Sequence, residues 1–388
     1  MGRYDFDTVI GRRSTFASKW DIGENEIAMS MADMEFAAAP EIRQALQKRL
    51  DNGIYGYTDV PGVWYEAYQG WWARRHGLQI EKEELIFATG VIPAISTAVR
   101  KLTYPAEKVL VLTPIYNIFF NSIVNNGRFP IECRMPVKDG EYNIDWEDLE
   151  AKAADPQTSL MLFCNPHNPI GRLWDKETLA RIGEICARYH VIVLSDEIHC
   201  DVVDPGKKYT PFASASETCA RISVTCFAPT KAFNLAGLHT AAVMVKDPFL
   251  RHKMWRGLNT DEVAEPGAFA VEGTVAAFTE GEAWLEEMCS YVKENKDRVR
   301  QVVAEKIPQV RITPSEGTYL LWMDCSAVTD SEEELGDFIR EKTGLVLTKG
   351  TLYGKGGEKY LRMNCACPRA LLEDGLERFV RGVKLYMG

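Results

Sequence analysis

A chain of 388 residues, 46% hydrophobic and 26% charged, is long enough to bury a large core and is expected to form two domains. Its net charge of −10 argues against a nucleic-acid partner. No apolar run reaches the ~20 residues of a membrane span, and the start M-G-R-Y-D-F-D-T-V-I has no apolar signal segment, so a cytoplasmic protein is expected.

The N-terminal forty-odd residues are too short to fold alone and are expected to join the C-terminal part. From Glu84 onward, short apolar runs alternate with amphipathic stretches. Strands are predicted at Leu85–Thr89, Lys108–Leu112, Ser159–Cys164, Val191–Ser195, Ile222–Phe227 and Ala241–Val245. A helix after Gly90 carries Val91, Ile95, Ala98 and Leu102 on one face. Another, capped by Asp175, buries Leu179, Ile182, Cys186 and Tyr189. Continuous apolar strands joined by helices imply an α/β fold, a mainly parallel sheet covered on both faces. Ligands of such sheets bind beyond the carboxyl ends of the strands.

After about Thr279 the pattern changes to a long helix, Glu282–Glu305, short strands near Tyr319–Met323 and Tyr360–Asn364, and a closing helix after Pro368. The expected division is a large domain over residues 46–281 and a smaller α+β domain of residues 1–45 with 282–388. Most of the ten cysteines, such as Cys164, Cys186 and Cys226, fall inside apolar patterns and read as reduced core thiols. Cys365 and Cys367 have no second pair at ligand spacing, so no metal is expected.

Six short strings stand where the strands would present a ligand or close over it. A-T-G-V places Gly90 and Val91 at a helix N-terminus, a natural anion site. T-P-I-Y places Tyr116 after a strand, where its face could stack on a planar ring. C-N-P-H-N-P-I-G-R offers the Asn168 amide. V-I-V-L-S-D-E-I-H-C ends a strand at Asp196, a carboxylate that so apolar a setting requires to be paired or functional. C-F-A-P-T-K-A-F-N-L-A-G-L sets Lys231 after Thr230 among Phe227, Phe233, Leu235 and Leu238, where desolvation would lower its pKa and make it nucleophilic. Y-L-R-M-N-C-A-C-P-R places Arg362 in a short strand, with a planar fork suited to a carboxylate. No Walker A sequence, G-x-G-x-x-G junction, H-E-x-x-H or G-x-S-x-G elbow competes.

Together and in this order, these strings resemble fold-type I pyridoxal-phosphate enzymes, the aspartate-aminotransferase superfamily, over nearly the whole chain. Within it, S-M-A-D-M-E-F at Ser30–Phe36, Y-G-Y-T at Tyr55–Thr58, S-D-E-I-H and the lysine string are similar to the MalY/PatB branch of C–S lyases, the cystathionine β-lyases. The resemblance implies a seven-stranded-type sheet and a homodimer with shared active sites. It makes Lys231 the cofactor-bearing residue, with Asp196 at the ring nitrogen, Asn168 toward the ring oxygen, Tyr116 on the ring face and His199 among the cofactor-binding residues. The phosphate would take Gly90, Val91, Thr230 and Tyr57 of the partner subunit. Arg362, with Asp33 and Tyr55, would bind a small sulfur-containing amino acid. β-Elimination to thiol, pyruvate and ammonia is the expected reaction, and transamination the alternative.

Three positions depart from the wider superfamily. His199 stands where many aminotransferases have tyrosine. Ala228 and His239 replace a serine and an arginine that bind phosphate in many of them.

Overall fold

The computed structural model describes residues 2–388. Its main sheet has seven strands: β1 (Leu85–Ala88), β2 (Lys108–Thr113), β3 (Phe129–Arg134), β4 (Thr158–Cys164), β5 (Ile192–Asp196), β6 (Ser223–Phe227) and β7 (Ala241–Met244). They lie in the order β1-β7-β6-β5-β4-β2-β3, and only β7 runs against its neighbours. The central strands are buried on both faces, as continuous apolar runs require. The edge strand β3 was not predicted. Its sequence, F-P-I-E-C-R, is mostly half-exposed and carries a proline and a glutamate, which an edge tolerates and an apolar-run criterion passes over.

Helices cover both faces. Val91–Leu102 buries Val91, Ala94, Ile95, Ala98, Val99 and Leu102 against the sheet. Lys176–Arg188 starts where Asp175 accepts the Thr178 N–H at 2.7 Å, and it buries Leu179, Ile182 and Cys186. Tyr189 ends up half-buried at the C-cap, its hydroxyl bonded to Glu150, so it is not the core residue expected. On the opposite face an aromatic layer gathers Trp64, Tyr68, Trp71, Trp72, Phe227, Phe233, Phe278 and Trp284.

The C-terminal part is a four-stranded antiparallel sheet in the order β8-β9-β11-β10: β8 (Arg311–Ile312), β9 (Leu320–Asp324), β10 (Thr348–Lys349) and β11 (Tyr360–Asn364). Helices Glu282–Lys306, Glu332–Thr343 and Arg369–Met387 accompany it. The N-terminal pair Ile27–Ala28 bonds in parallel to Leu345–Val346, and Ile27 and Met29 enter this part's core. The division expected at residues 45/46 falls inside the helix Pro40–Asn52, which packs on Ala270–Glu280 beside the main sheet. All ten cysteines are free and buried. Among the described residues no helix is long and apolar enough to cross a membrane.

Candidate active site

A cavity of about 270 Å³ opens at the carboxyl ends of the main strands. Thr89 to Pro93, Tyr116, Asn168, Asp196, His199, Thr230, Lys231 and His239 are among the residues lining it. Asp196 is the last residue of β5, in register with Cys164 on one side and Cys226 on the other. Its carboxylate accepts the Ile198 N–H at 3.1 Å and is 3% exposed. Burial pushes the carboxyl up to about 7, against the opposing pull of that N–H and of the Lys231 charge.

β6 ends at Phe227 and the chain returns as β7, so residues 228–240 form one connection that carries Lys231. Phe233 and Leu235 anchor it in the aromatic layer. Asn234 turns it in the left-handed region, at φ 57°. Lys231 Nζ donates to the Ala32 carbonyl at 2.5 Å. Desolvation is the largest influence on this amine and lowers its pKa; Asp33 and Asp196 pull the other way, while Arg362 and Lys19 add to the lowering.

The helix Val91–Leu102 points its N-terminus at the same cavity. No side chain caps it and its first turn carries no acid, so the first amides and the positive end of the helix dipole are left for an anion. Tyr116 also lines the cavity, its ring 5.8 Å from Phe119, and burial followed by the Asp196 charge raises its hydroxyl to about 12. His199 is 2% exposed, its Nδ1 has no partner, and burial, aided by Lys231 and Arg362, drives its pKa down to about 3. It is a neutral imidazole at working pH.

Arg362 does not line the cavity itself. It stands behind Asn168, Nη1 donating to Asn168 Oδ1 at 3.0 Å and Nη2 to the Ser30 carbonyl at 2.9 Å, with a buried and unpartnered Nε. Asp33 is held by Arg12 at 2.7 Å and lies outside the lining. Tyr55 bonds the Leu50 carbonyl at 2.8 Å and is half-exposed, and Tyr57 is fully exposed; neither reaches this chain's cavity. The substrate role expected of Tyr55 therefore has no support within one chain, because its hydroxyl is already used locally.

The sequence did not disclose that Ala32 would face Lys231 or that Asn234 and Asn364 would hold the surrounding backbone. Nor did it disclose the buried ion pair of Lys19 with Glu35, 2.7 Å apart. A main-chain acceptor has no side-chain signature. The string S-M-A-D-M-E-F marked the place without showing which of its atoms matter.

The family model described as aminotransferase class I and II matches residues 19–379. The chain is 40% identical to the cystathionine β-lyase PatB of Bacillus subtilis (strain 168), over 96% of this chain and 98% of that protein. Among solved structures it is similar to a pyridoxal-phosphate-bound putative aminotransferase from Clostridium difficile 630, with TM-score 0.96 and 37% identity over 98% of this chain and 100% of the other. It is also similar to the pyridoxal-phosphate-bound C–S lyase of Staphylococcus hominis, with TM-score 0.92 and 30% identity over 98% of each chain. A sheet with one reversed strand, a lysine on the loop preceding that strand and a carboxylate ending β5, two strands away, thus occur in a chain that belongs to the class I and II aminotransferase family, in the fold-type I architecture.

Proposed function

We propose that the protein is a pyridoxal-phosphate-dependent C–S lyase that cleaves cystathionine-like amino acids by β-elimination. The observation that carries this reading is the cavity shared by the buried Asp196 and the desolvated Lys231, in a chain related end to end to a cystathionine β-lyase. The donor set fits the cofactor. An uncapped helix start suits a phosphate, and a buried carboxyl suits a protonated ring nitrogen. The unpartnered Nδ1 of His199 is a polar atom in want of a ligand. Gly90, Val91 and Thr230 would hold the phosphate, Asp196 the ring nitrogen, Asn168 and His199 the ring oxygen, and Tyr116 the ring face.

When bound, pyridoxal phosphate supplies an electron sink for negative charge at the substrate α-carbon. Asp196 favours that charge separation by keeping a proton on the ring nitrogen. Arg362 orients the substrate carboxylate, with a fork already braced by Asn168 and Ser30. Lys231, whose amine desolvation biases toward neutrality, takes the α-proton. The β-carbon then releases a thiolate, whose conjugate acid has a pKa near ~8.5, so little acid assistance is needed. Addition of water leaves pyruvate and ammonia.

Residues 50–63 support a second copy of the chain at the site. Ile54, Tyr55, Tyr57 and Val63 are all exposed, and Tyr57 of the partner subunit would complete the phosphate contacts. We place residues 282–388, with the segment up to about Ala39, in a smaller domain that closes over the larger one. Ten buried free thiols support a reducing, cytoplasmic setting.

The decisive experiment supplies cystathionine with no keto acid. Thiol and pyruvate in equal amounts are expected. Turnover only after a keto acid is added would make the enzyme an aminotransferase instead. Lys231→Ala is expected to lower thiol release by at least ~1,000-fold while the folded state persists.

A further inference from the structure

The segment Ser30–Phe36 lies between the two parts of the chain and brings the Ala32 carbonyl to the Lys231 amine. It belongs to no helix or strand, and it is held by the Glu35 N–H bond to the Ala366 carbonyl at 2.9 Å and by side chains that bond its backbone, among them Lys19 at the Asp33 carbonyl, Arg12 at Met34, and Arg362 and Thr348 at Ser30. Two asparagines do this from opposite sides. On the main-sheet side, Asn234 donates to the Met34 and Phe36 carbonyls at 3.2 and 2.8 Å and accepts the Met34 N–H at 3.3 Å. On the other side, at the end of β11, Asn364 donates to the Met31 and Asp33 carbonyls at 2.7 and 2.8 Å and accepts the Ala366 N–H at 2.8 Å.

The two Asn364 acceptors immediately flank Ala32. With Met31 and Asp33 tied to one amide group, the peptide between them is left little rotation, and its oxygen stays turned toward Lys231. Tyr319 adds a second donor to the same oxygen at 3.2 Å. Both asparagine amides spend their hydrogens on backbone, so neither is left to bind a ligand.

We propose that Asn234 and Asn364 are positioning residues for the reaction, clamping Ser30–Phe36 from its two sides so that the Ala32 carbonyl docks the Lys231 amine whenever that amine is displaced by substrate. The inference rests on Lys231 as the group that moves the α-proton. A docked amine occupies one rotamer of a flexible stem, and an error of 1 Å in such a group is enough to cost ~100-fold in rate.

The test uses the holoenzyme and the variants Asn364→Ala and Asn234→Ala, with three measurements. Hydrogen exchange of the peptide covering residues 29–36 should accelerate in either variant. With cystathionine, kcat per cofactor-loaded site should fall at least ~10-fold while KM stays within ~3-fold, the normalisation to loaded sites removing any general loss of folded protein. The α-proton of L-alanine, which has no leaving group, should exchange with deuterated solvent at least ~10-fold more slowly by NMR. Unchanged exchange of the segment would show that the asparagines do not hold it and would overturn the proposal. So would faster segment exchange with normal kcat and normal alanine exchange. If Asn364→Ala does not fold, Asn234→Ala, on a partly buried loop, decides by the same criteria. A wild-type enzyme that releases no thiol yet exchanges the alanine proton would fail the lyase reading alone, and the asparagine variants would still decide the clamp.

Discussion

Arg362 Nη1 donates to Asn168 Oδ1 across 3.0 Å, joining a strand of the small sheet directly to the loop that follows β4. The guanidinium also lies 5.0 Å from the centre of the Tyr353 ring, so its plane is fixed on a face as well as at its edge. A ligand carboxylate meeting this arginine gains a charge-assisted bond to a group that is already ordered. Lysine in its place keeps the charge and loses the fork. Arg362→Lys is expected to lower kcat/KM by roughly 10- to 100-fold, mostly through KM, as steady-state thiol release would show.

Asp196 should make the cofactor-free protein less stable as pH rises. Its folded pKa, about 7, lies above the ordinary 3.8, so the folded state holds the proton more tightly than the unfolded one. That contribution is complete below about pH 4 and is lost as pH climbs toward 7. Glu197, buried beside it with its pKa raised to about 7, acts in the same direction. Asp196→Asn is expected to flatten the fall in urea midpoint between pH 4 and 7 in the cofactor-free protein, and to weaken cofactor retention at least ~10-fold in equilibrium dialysis.

His167 has the opposite sign. It is fully buried, and Nε2 contacts the Pro114 carbonyl at 2.8 Å. Desolvation lowers its pKa to about 4 from 6.5. The folded state resists protonation, so its contribution is present above about pH 6.5 and disappears as pH falls through 4. His167→Gln should lose less stability than the wild type between pH 7 and 4.5 in urea titrations, although it starts lower at pH 7.

Lys19 and Glu35 form an ion pair 2.7 Å long with both side chains almost wholly buried. Trp20 Nε1 and Arg12 also reach this carboxylate, at 3.0 and 3.2 Å. Glu35→Ala leaves a buried ammonium uncompensated and is expected to cost about 3–5 kcal/mol, read as a lower denaturant midpoint. Lys19→Met with Glu35→Leu should recover much of that loss, because an apolar pair of similar volume needs no partner.

The central strands and the covering helices were legible because burial on both faces writes itself as unbroken apolar sequence. Strand β3 was not, since an edge carries proline and charge. Lys231, Asp196, Asn168 and Tyr116 were legible as rare side chains at strand ends, and all four line the cavity. Arg362 was legible as an arginine among apolar neighbours, but its bond to Asn168 Oδ1 was not, because sequence does not show which side chains of distant segments meet. The bond of the Tyr55 hydroxyl to the Leu50 carbonyl was not legible, because a main-chain acceptor leaves no mark in the sequence. The Ala32 carbonyl was invisible for the most general reason, that every residue has one.

The reversed strand has a mechanical consequence. Phe227 and Ala242 are cross-strand partners, so the connection bearing Lys231 leaves and re-enters the same stretch of sheet, and both its roots are fastened within one ladder. A crossover helix would have let that base drift with whatever packed on it. Here the two roots share one ladder, so the four methylenes of the lysine stem are the natural place for the amine to travel between its stations.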